Sequence, residues 1–273
     1  MTILIGENMM NGTWTEVAAA AGRKALVLLP VGVIEEHGPH LCLATDVYTA
    51  ELYCASAKRE LENRGLPAVV APPFCWGVCQ STGGFIGSFQ IRKETAKNLL
   101  LDILASLKRF GFDEVYGVNA HGDIEQNILL MEAFREAAET HGMAARCLFR
   151  REVLHLYGLT GDEPYICALE PQSIRISDCP EPDVHAGQIE TAVIHKFLPG
   201  LVDVSAAERL PARTIPEGRE MEWLLGGKTK EMSENGYIGN PAKFREVDVE
   251  NHILDTTNRI VEAILKKRGT SRR

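Results

Sequence analysis

The sequence predicts an α/β protein in which a mostly parallel sheet is covered by helices on both faces. Apolar strand-like runs alternate with amphipathic helix-like runs, a rhythm that is typical of parallel sheets joined by helices. The first strand-like run is continuously apolar, as strands buried on both faces are. Hydrophobic residues make up 45% of the chain and charged residues 24%, which suits a protein with a substantial core. No linker divides the chain, so we expect one domain over residues 1–273.

Apolar runs and helix-ending glycines define the first elements. The predicted elements are, in chain order, a strand over residues 25–34, a helix over 46–64, a strand over 67–73, a helix over 92–110, a strand over 113–120, a helix over 125–140 and a strand over 143–149. Gly65 and Gly111 stand just beyond two of the helices as stops. Leu100, Leu104 and Leu107 form an apolar stripe on the helix over 92–110, as a helix against a core requires.

The second half of the chain is less regular. Residues 150–183 are rich in Pro, Asp and Ser, and we expect them to form loops near a site. Residues 205–245 are also irregular and are interpreted as a lid or as an oligomer contact. Residues 249–265 predict a closing helix with Ile260 and Ile264 on its apolar side.

The charge balance and the cysteines disfavour several classes of protein. Lysine and arginine number 29 against 37 aspartates and glutamates, a net charge of −8, which disfavours a nucleic acid partner. No apolar run approaches the roughly eighteen residues of a membrane span, and no leader pattern is seen, so we expect a cytoplasmic protein without membrane contact. The seven cysteines are odd in number, which disfavours a disulfide framework. Cys75 and Cys79 lack the second pair of a zinc finger.

Three clusters of acidic residues and histidines stand in or beside the predicted loops. They contain, in chain order, Glu35, His37 and Asp46; then His121 and Asp123; then Asp183, His185 and Glu190. In parallel sheets, ligands bind beyond the carboxyl ends of the strands. We therefore expect the loops after Ile34 and after Asn119 to face one crevice.

The residue types in these clusters predict a metal site. Carboxylates beside neutral imidazoles are stable in a crevice chiefly when a cation offsets the charge, and mixed donors of this kind suit zinc, manganese or iron. Alternate side chains of an extended segment share a side. Glu35 and His37 can therefore point the same way, while Glu36 turns from them.

Three motifs resemble those of the creatininase family. "LPVGVIEEHGPHLCLATD" is similar to the family's opening motif, "VNAHGD" to its Asn-Gly-His-containing motif, and "HAGQIET" to its His-Ala-Gly-x-x-Glu-Thr motif. They stand in the family's order and cover about residues 25 to 195. The resemblance implies a three-layer α/β/α sandwich and a hydrolase that acts on carbon–nitrogen bonds.

Carried over by position, the resemblance implies two divalent metal ions per chain, zinc or manganese with iron as a further possibility. Asp46 would bridge the ions, Glu35 and His121 would complete the protein ligands of one, and His37 and Glu190 those of the other. Two such ions depress the pKa of a bound water toward neutrality. A metal-bound hydroxide is therefore the expected nucleophile.

The resemblance also implies roles for residues beside the metals. His185 holds the position that the family uses to protonate the leaving nitrogen, and Asp123 stands where some members place a Glu, so either is a candidate proton shuttle. A helix N-cap is the competing use for Asp123. "GGFIGSFQI" resembles the family's Phe-Pro-Gly-Thr segment, so the backbone amides of Gly87 and Ser88 are expected to line the substrate pocket.

The sequence departs from the family pattern at several places. Glu36 replaces the usual Gln, and Thr82 stands where His is frequent. Members specific for creatinine carry tryptophans before the His-Ala-Gly motif, whereas this stretch holds Tyr157 and Tyr165. Because the residues of the pocket wall decide which substrate fits, we expect a substrate other than creatinine.

The main functional hypothesis is an amidohydrolase that cleaves a non-peptide carbon–nitrogen bond in a small molecule, such as a cyclic amide or a formamide. The alternatives are a peptidase or deformylase that acts on a biosynthetic precursor, and a family member that binds metal and ligand without catalysis. By resemblance we also expect a homo-oligomer, with a hexamer as the family's common form. The sequence identifies no interface.

Overall fold

The computed structural model describes residues 6–172, 179, 182–226 and 229–271. Its helices and strands are, in chain order, α1 (Trp14–Gly22), β1 (Leu26–Val31), α2 (Thr45–Asn63), β2 (Ala68–Val70), α3 (Lys93–Arg109), β3 (Glu114–Asn119), α4 (Ile124–Thr140), β4 (Ala144–Arg150), α5 (Arg151–Leu154), β5 (Ile166–Leu169), α6 (Gln188–Phe197), α7 (Val204–Ala207), α8 (Glu220–Leu225), α9 (Thr229–Met232) and α10 (Val249–Ser271).

The five strands form one sheet in the order β2-β1-β3-β4-β5, and every neighbouring pair is parallel. From β1 the chain first adds β2 on one side and then returns to add β3 on the other. The loops after β1 and β3 therefore diverge to opposite faces of the sheet. This topological switch point leaves a crevice at the carboxyl ends of β1 and β3, where ligands bind in sheets of this kind.

Helices cover both faces of the sheet. On β1, Val27 and Leu29 belong to a core with α1, α3 and α4, whereas Leu26 and Leu28 belong to a second core with α2 and α10. Both sets are fully buried because side chains alternate across a strand and both sides are covered. The predicted three-layer α/β/α sandwich with a parallel sheet is confirmed.

Some elements differ from their predicted bounds. The buried run predicted over residues 25–34 leaves the sheet after Val31, where the Gly32 amide donates to the Phe74 carbonyl at 3.0 Å. The apolar composition of residues 32–34 indicates burial, but it does not show whether a residue pairs with a neighbouring strand. Helix α1 and the edge strand β5 were not predicted, and β5 lies in the segment expected to form loops. It is only four residues long, too short to show a periodicity.

Gly32 follows β1 directly and packs against the first turn of α2. A side-chain Cβ at this position would lie 2.7 Å from the Val47 nitrogen and 2.9 Å from the Asp46 Cβ. These are closer than atoms can pack, and the backbone on the far side cannot easily move. The glycine therefore sets the distance between β1 and Asp46.

We expect Gly32→Ala to lower the free energy of unfolding by about 1–3 kcal/mol, as overpacking of a tight contact does, and to displace Asp46. Urea unfolding measures the first effect and metal titration the second. Gly122→Ala is the matched control, because a Cβ there meets no atom within 4 Å. Equal stability of the two variants would contradict the close packing at Gly32.

Candidate metal centre

Three loops bring the predicted ligands to one place at the switch point. Glu35 and His37 follow β1, Asp46 lies in the first turn of α2, His121 follows β3, and Glu190 lies in the first turn of α6. The first four of these side chains are buried, and Glu190 is partly buried. The expectation that the loops after β1 and β3 face one crevice is therefore met.

The carboxylate of Asp46 is shared between two histidines. Its Oδ1 lies 3.2 Å from Nε2 of His37, and its Oδ2 lies 3.0 Å from Nδ1 of His121. Oδ2 is buried, and apart from this ring contact it has no hydrogen-bond partner among the described residues. A buried carboxylate oxygen is costly unless a protonated ring or a metal cation faces it. The two oxygens point to two different histidines, as a bridging carboxylate between two metal ions requires.

Ligand atoms fall into three overlapping groups, in each of which all the atoms lie within 4.8 Å of one another. The groups are Glu35, Cys79 and His121; Glu35, His37 and His185; and His37, Asp46 and Glu190. The last group is the complete ligand set predicted for one ion, and the first contains two of the three residues predicted for the other. Carboxylate and imidazole donors at this spacing fit a pair of divalent cations.

Backbone carbonyls orient the rings of the candidate ligands. Nε2 of His121 lies 3.0 Å from the Val78 carbonyl oxygen, so Nε2 carries the proton and donates. Its Nδ1 is left to face the Glu35 carboxylate at 2.9 Å. Nδ1 of His37 lies 3.2 Å from the Glu35 carbonyl oxygen, so Nε2 of His37 faces Asp46. Such outer hydrogen bonds fix the tautomer of a metal-binding histidine.

The negative charge of the carboxylates at this site can be balanced by protons on the neighbouring histidines. Burial acts to lower the pKa of His37, but the charge and hydrogen bond of Asp46 outweigh it and raise the pKa to about 10. Burial likewise opposes the effect of Glu35 on His121, whose pKa is raised well above its usual value. Burial acts to raise the pKa of Asp46, but His37 and His121 hold it below its usual range. Divalent ions can replace these protons as the counter-charge.

These raised pKa values predict a metal affinity that depends on pH. A divalent ion must displace the protons of His37 and His121, and that competition weakens as the pH rises. We expect the apparent affinity for zinc to rise about tenfold per displaced proton for each unit between about pH 6 and pH 8. Competition titrations with a chromophoric chelator measure it. An affinity for zinc that does not change over this pH range would contradict the prediction that His37 and His121 are protonated before metal binds.

The same protons affect stability without metal. A raised pKa in the folded state means that the stabilising charge on His37 is fully present below the ordinary histidine pKa of about 6.5. That contribution is lost as the pH rises through about 10. The metal-free protein should therefore lose this stabilisation on the alkaline side.

His185 stands beside the predicted ligands with one ring nitrogen turned toward them. Its Nε2 lies 2.9 Å from the Glu36 carbonyl oxygen and therefore donates, while its Nδ1 lies 3.9 Å from the Glu35 carboxylate. The rings of His185 and His37 are 4.5 Å apart. Burial and the charge of His37 act to lower the pKa of His185, but the Glu36 carboxylate, 3.4 Å from Nε2, and other nearby carboxylates outweigh them and raise the pKa. This position suits transfer of a proton.

The loop before α6 is shaped to present His185 and Glu190 together. Ala186 has φ of 48°, a left-handed conformation that is uncommon for residues other than glycine. Its backbone nitrogen donates to Oε2 of Glu190 at 2.5 Å. At Gly187 a Cβ would lie 2.8 Å from Oδ1 of Asp183, so a larger residue would displace that carboxylate. Burial raises the pKa of Glu190.

Asp123, the other candidate proton shuttle, is held by backbone amides. Its Oδ1 accepts from the nitrogens of Glu125 and Gln126 and caps α4. Its Oδ2 accepts from the nitrogens of Gln80 and Ser81 at 2.7 and 3.0 Å. Both oxygens are therefore engaged, which favours the N-cap role. A role in proton transfer stays a prediction.

Two substitutions separate these roles of Asp123. Asp123→Ala should lower the free energy of unfolding by about 1–3 kcal/mol, because it removes the cap and leaves buried amides without an acceptor. Asp123→Asn keeps one accepting oxygen but turns an NH2 group toward two of the four amide donors, so it should lose less stability than Asp123→Ala and, while folded, keep most of its turnover. Urea unfolding and steady-state kinetics measure the two effects. A folded, metal-loaded Asn variant without turnover would instead identify Asp123 as the proton shuttle.

The segment predicted to line the pocket lies beside the opening motif. Gly87 has φ of 101°, and a Cβ there would lie 2.9 Å from the side chain of Leu43. The Ser88 amide lies 3.4 Å from the Phe85 carbonyl, and its hydroxyl accepts from the Glu36 nitrogen at 3.0 Å. The hydroxyl thus contacts the motif directly. Substrate binding by Gly87 and Ser88 stays a prediction.

Three residues at the site were not predicted to act there. Thr82 donates a short hydrogen bond from its hydroxyl to Glu35, and Cys79 joins Glu35 and His121. The ring of Trp223 lies 6.0 Å from that of His185. A helix far along the chain carries this tryptophan, so no local pattern could place it. For Thr82, the sequence did offer a signal, because this threonine stands where the family frequently has His.

A parallel α/β sheet with carboxylates and imidazoles gathered at its switch point defines an α/β protein whose candidate site is able to hold metal ions. Residues 10–264 match the creatininase family, described as creatinine amidohydrolase. The chain therefore belongs to the creatininase family, and the resemblance seen in its motifs is confirmed. It is an enzyme of the class that hydrolyses carbon–nitrogen bonds.

Individual relatives differ in their stated activity. A mycofactocin precursor peptide peptidase from Mycolicibacterium smegmatis is 29% identical over 243 residues, which cover 88% of this chain and 84% of that protein. A creatinine amidohydrolase from Pseudomonas putida is 29% identical over 210 residues, which cover 75% of this chain and 76% of that protein. A crystal structure of creatininase superposes with a TM-score of 0.69 at 21% identity, covering 96% of this chain and 97% of that one. The last similarity shows the fold.

Proposed function

We propose that this protein is an amidohydrolase that uses two divalent metal ions to hydrolyse the carbon–nitrogen bond of a small molecule. The observation that carries the proposal is the Asp46 carboxylate, whose two oxygens face His37 and His121 at 3.2 and 3.0 Å within one buried cluster. Apart from that histidine contact, Oδ2 has no hydrogen-bond partner among the described residues. A pair of divalent cations would replace the ring protons and satisfy both oxygens.

The chemistry of the donors indicates how the ions would be held. Asp46 would be shared, with Glu35 and His121 on one side and His37 and Glu190 on the other. Ions in these positions would lower the pKa of a water toward neutrality and polarise the substrate carbonyl. Zinc and manganese are the proposed metals, because the donors suit both and related creatininase structures are named for manganese and for a Zn-Zn form.

The chain's own groups would move the proton and exclude water. His185 donates from Nε2 to the Glu36 carbonyl, so its Nδ1 is free to take a proton from the attacking water and pass it to the leaving nitrogen. Backbone pairing of His185 with Ile238 holds the ring in place. Trp223 is buried in a cluster with Met232 and Ile238, and its contact with the His185 ring would help to exclude water on that side.

A specific observation keeps a peptide substrate as a second candidate. The peptidase relative matches a larger share of this chain than the creatinine amidohydrolase does, at the same identity. Both reactions cleave an amide-type carbon–nitrogen bond, so the same metals and His185 would serve either. The residues of the pocket wall would decide the substrate, and the tryptophan nearest His185 is Trp223, with the two rings 6.0 Å apart, rather than one before the His-Ala-Gly motif.

Removal of metal tests the proposal. We expect protein purified without added metal to hold about two divalent ions per chain and to lose turnover when a chelator removes them. Zinc or manganese should restore turnover. Elemental analysis counts the ions, and a panel of cyclic amides, formamides and short peptides finds the substrate class. Full activity after verified metal loss would refute the mechanism, and metal binding with no hydrolysis across the panel would favour a ligand-binding protein.

Further properties of the proposal stay predictions. Among the described residues, no helix has both the length and the apolarity needed to span a bilayer. A cytoplasmic location, the lack of a nucleic acid partner and a homo-oligomeric state are proposed from the sequence. Mass measurement in solution would test the hexamer.

A further inference from the structure

Residues 78–82 form a loop that is fixed to the metal centre at both ends. At its start, the Val78 nitrogen donates to Oε1 of Gln126 at 3.0 Å. The Val78 carbonyl accepts from Nε2 of His121 at 3.0 Å. The first residue of the 78–82 loop is therefore tied to α4 and to a predicted metal ligand.

The other end of the 78–82 loop is fixed as firmly. The nitrogens of Gln80 and Ser81 both donate to Oδ2 of Asp123, and the Thr82 hydroxyl donates to Glu35. The bonds of Ser81 and Thr82 are buried and that of Gln80 is partly buried, and a lost partner is costly where water is excluded. Cys79 stands between these fixed points, so the backbone itself determines where its side chain lies.

The side chain of Cys79 is directed at the metal centre. Its Sγ, a carboxylate oxygen of Glu35 and a ring nitrogen of His121 all lie within 4.8 Å of one another. Cys79 is fully buried. The one hydrogen bond described for its thiol goes to the Phe89 carbonyl at 3.5 Å, an ordinary distance for sulfur, but thiols are weak donors. A metal would offer this sulfur a stronger interaction.

We propose that Cys79 is a further protein ligand of the ion held by Glu35, Asp46 and His121, and that it makes this position selective for a thiophilic ion such as zinc. The inference rests on the proposed metal-dependent function and specifies its metal. On binding, the sulfur–hydrogen bond breaks, the proton leaves to solvent and the sulfur donates an electron pair to the ion, with no change in oxidation state. Manganese prefers oxygen donors and gains less from this sulfur.

The extra ligand would make the two metal positions unequal. With Cys79, the first position has four protein ligands, as in closed zinc sites. The second position, at His37, Asp46 and Glu190, has three. Sites with three protein ligands keep a position open for water or substrate. The open position is therefore assigned to the His37 group, and the ring of His185 lies 4.5 Å from that of His37.

Cobalt spectroscopy and X-ray absorption test the role of Cys79 without an activity assay. Cobalt-loaded wild-type protein should show a thiolate-to-cobalt charge-transfer band, which Cys79→Ser should remove. Cys75→Ser is the matched control, because Cys75 belongs to no ligand group among the described residues, and it should keep the band. We expect Cys79→Ser to weaken zinc binding by about a hundredfold or more and manganese binding far less.

Wild-type protein alone also decides the question if Cys79→Ser does not fold. Zinc-edge X-ray absorption should show a sulfur neighbour at about 2.3 Å. Two bound ions without a sulfur neighbour, or a cobalt band that persists in Cys79→Ser, would overturn the role of Cys79 and leave the proposed function standing. A chain that binds no divalent ion would overturn both.

Discussion

Replacing Asp46 with asparagine is expected to remove metal binding and turnover together. The carboxylate is shared by both halves of the proposed centre, because its two oxygens face His37 and His121. An amide has no charge and only one accepting oxygen, so it cannot hold two cations. We expect turnover to fall at least about a thousandfold and the metal content to fall below about one ion per chain.

The control for Asp46→Asn is Asp113→Asn, which changes an exposed aspartate that pairs with Lys24 and Lys108. That variant should keep its ions and activity, because exposed ion pairs contribute little. Elemental analysis and steady-state kinetics measure both variants, and circular dichroism verifies their folds. An Asp46→Asn protein that keeps two ions would show that the carboxylate does not bridge them.

Replacing His185 with alanine should have the second largest effect. The ring faces the centre without being a proposed ligand of either ion, and its Nε2 is already used on the Glu36 carbonyl. Its loss removes the group proposed to carry the proton, and general acid–base catalysis is commonly worth about 10²–10⁴-fold in rate. We therefore expect kcat to fall by that factor while both ions are retained.

His195→Ala is the matched control for His185→Ala. His195 lies on α6, and its ring packs against Phe244 at 4.9 Å, so it should not affect the reaction. Metal content and binding of a substrate analogue should be normal in both variants. Loss of ions from His185→Ala would instead identify His185 as a ligand, since it shares a group with Glu35 and His37. Unchanged kcat would exclude it as the proton carrier.

The sheet and its main helices could be predicted because their burial pattern is local. The continuous apolar run before Glu35 predicts a strand that is covered on both faces. The apolar stripe that includes Leu100 predicts a helix with one buried side, and both predictions agree with the cores of the structure. The order of the strands follows from no such pattern. Strand β5 was missed because four residues at a sheet edge show no period.

The candidate site divides in the same way. Motif positions predicted which carboxylates and histidines would meet, and the structure brings Glu35, His37, Asp46, His121 and Glu190 together. The neighbours that position or extend the site come from distant segments. Cys79 reaches it because Asp123 and His121 hold the 78–82 loop.

The sequence by itself determined the kind of chemistry available: acidic and imidazole donors placed after two buried strands and before a helix, in the order of one family. The tertiary structure alone decided the geometry. It showed that the Asp46 carboxylate faces two histidines and that both oxygens of Asp123 accept hydrogen bonds from backbone amides. It also brought Cys79 and Trp223 next to the site. The physical reason is that donor type is a property of a residue, whereas proximity between distant residues depends on how the sheet is ordered and how the loops are held.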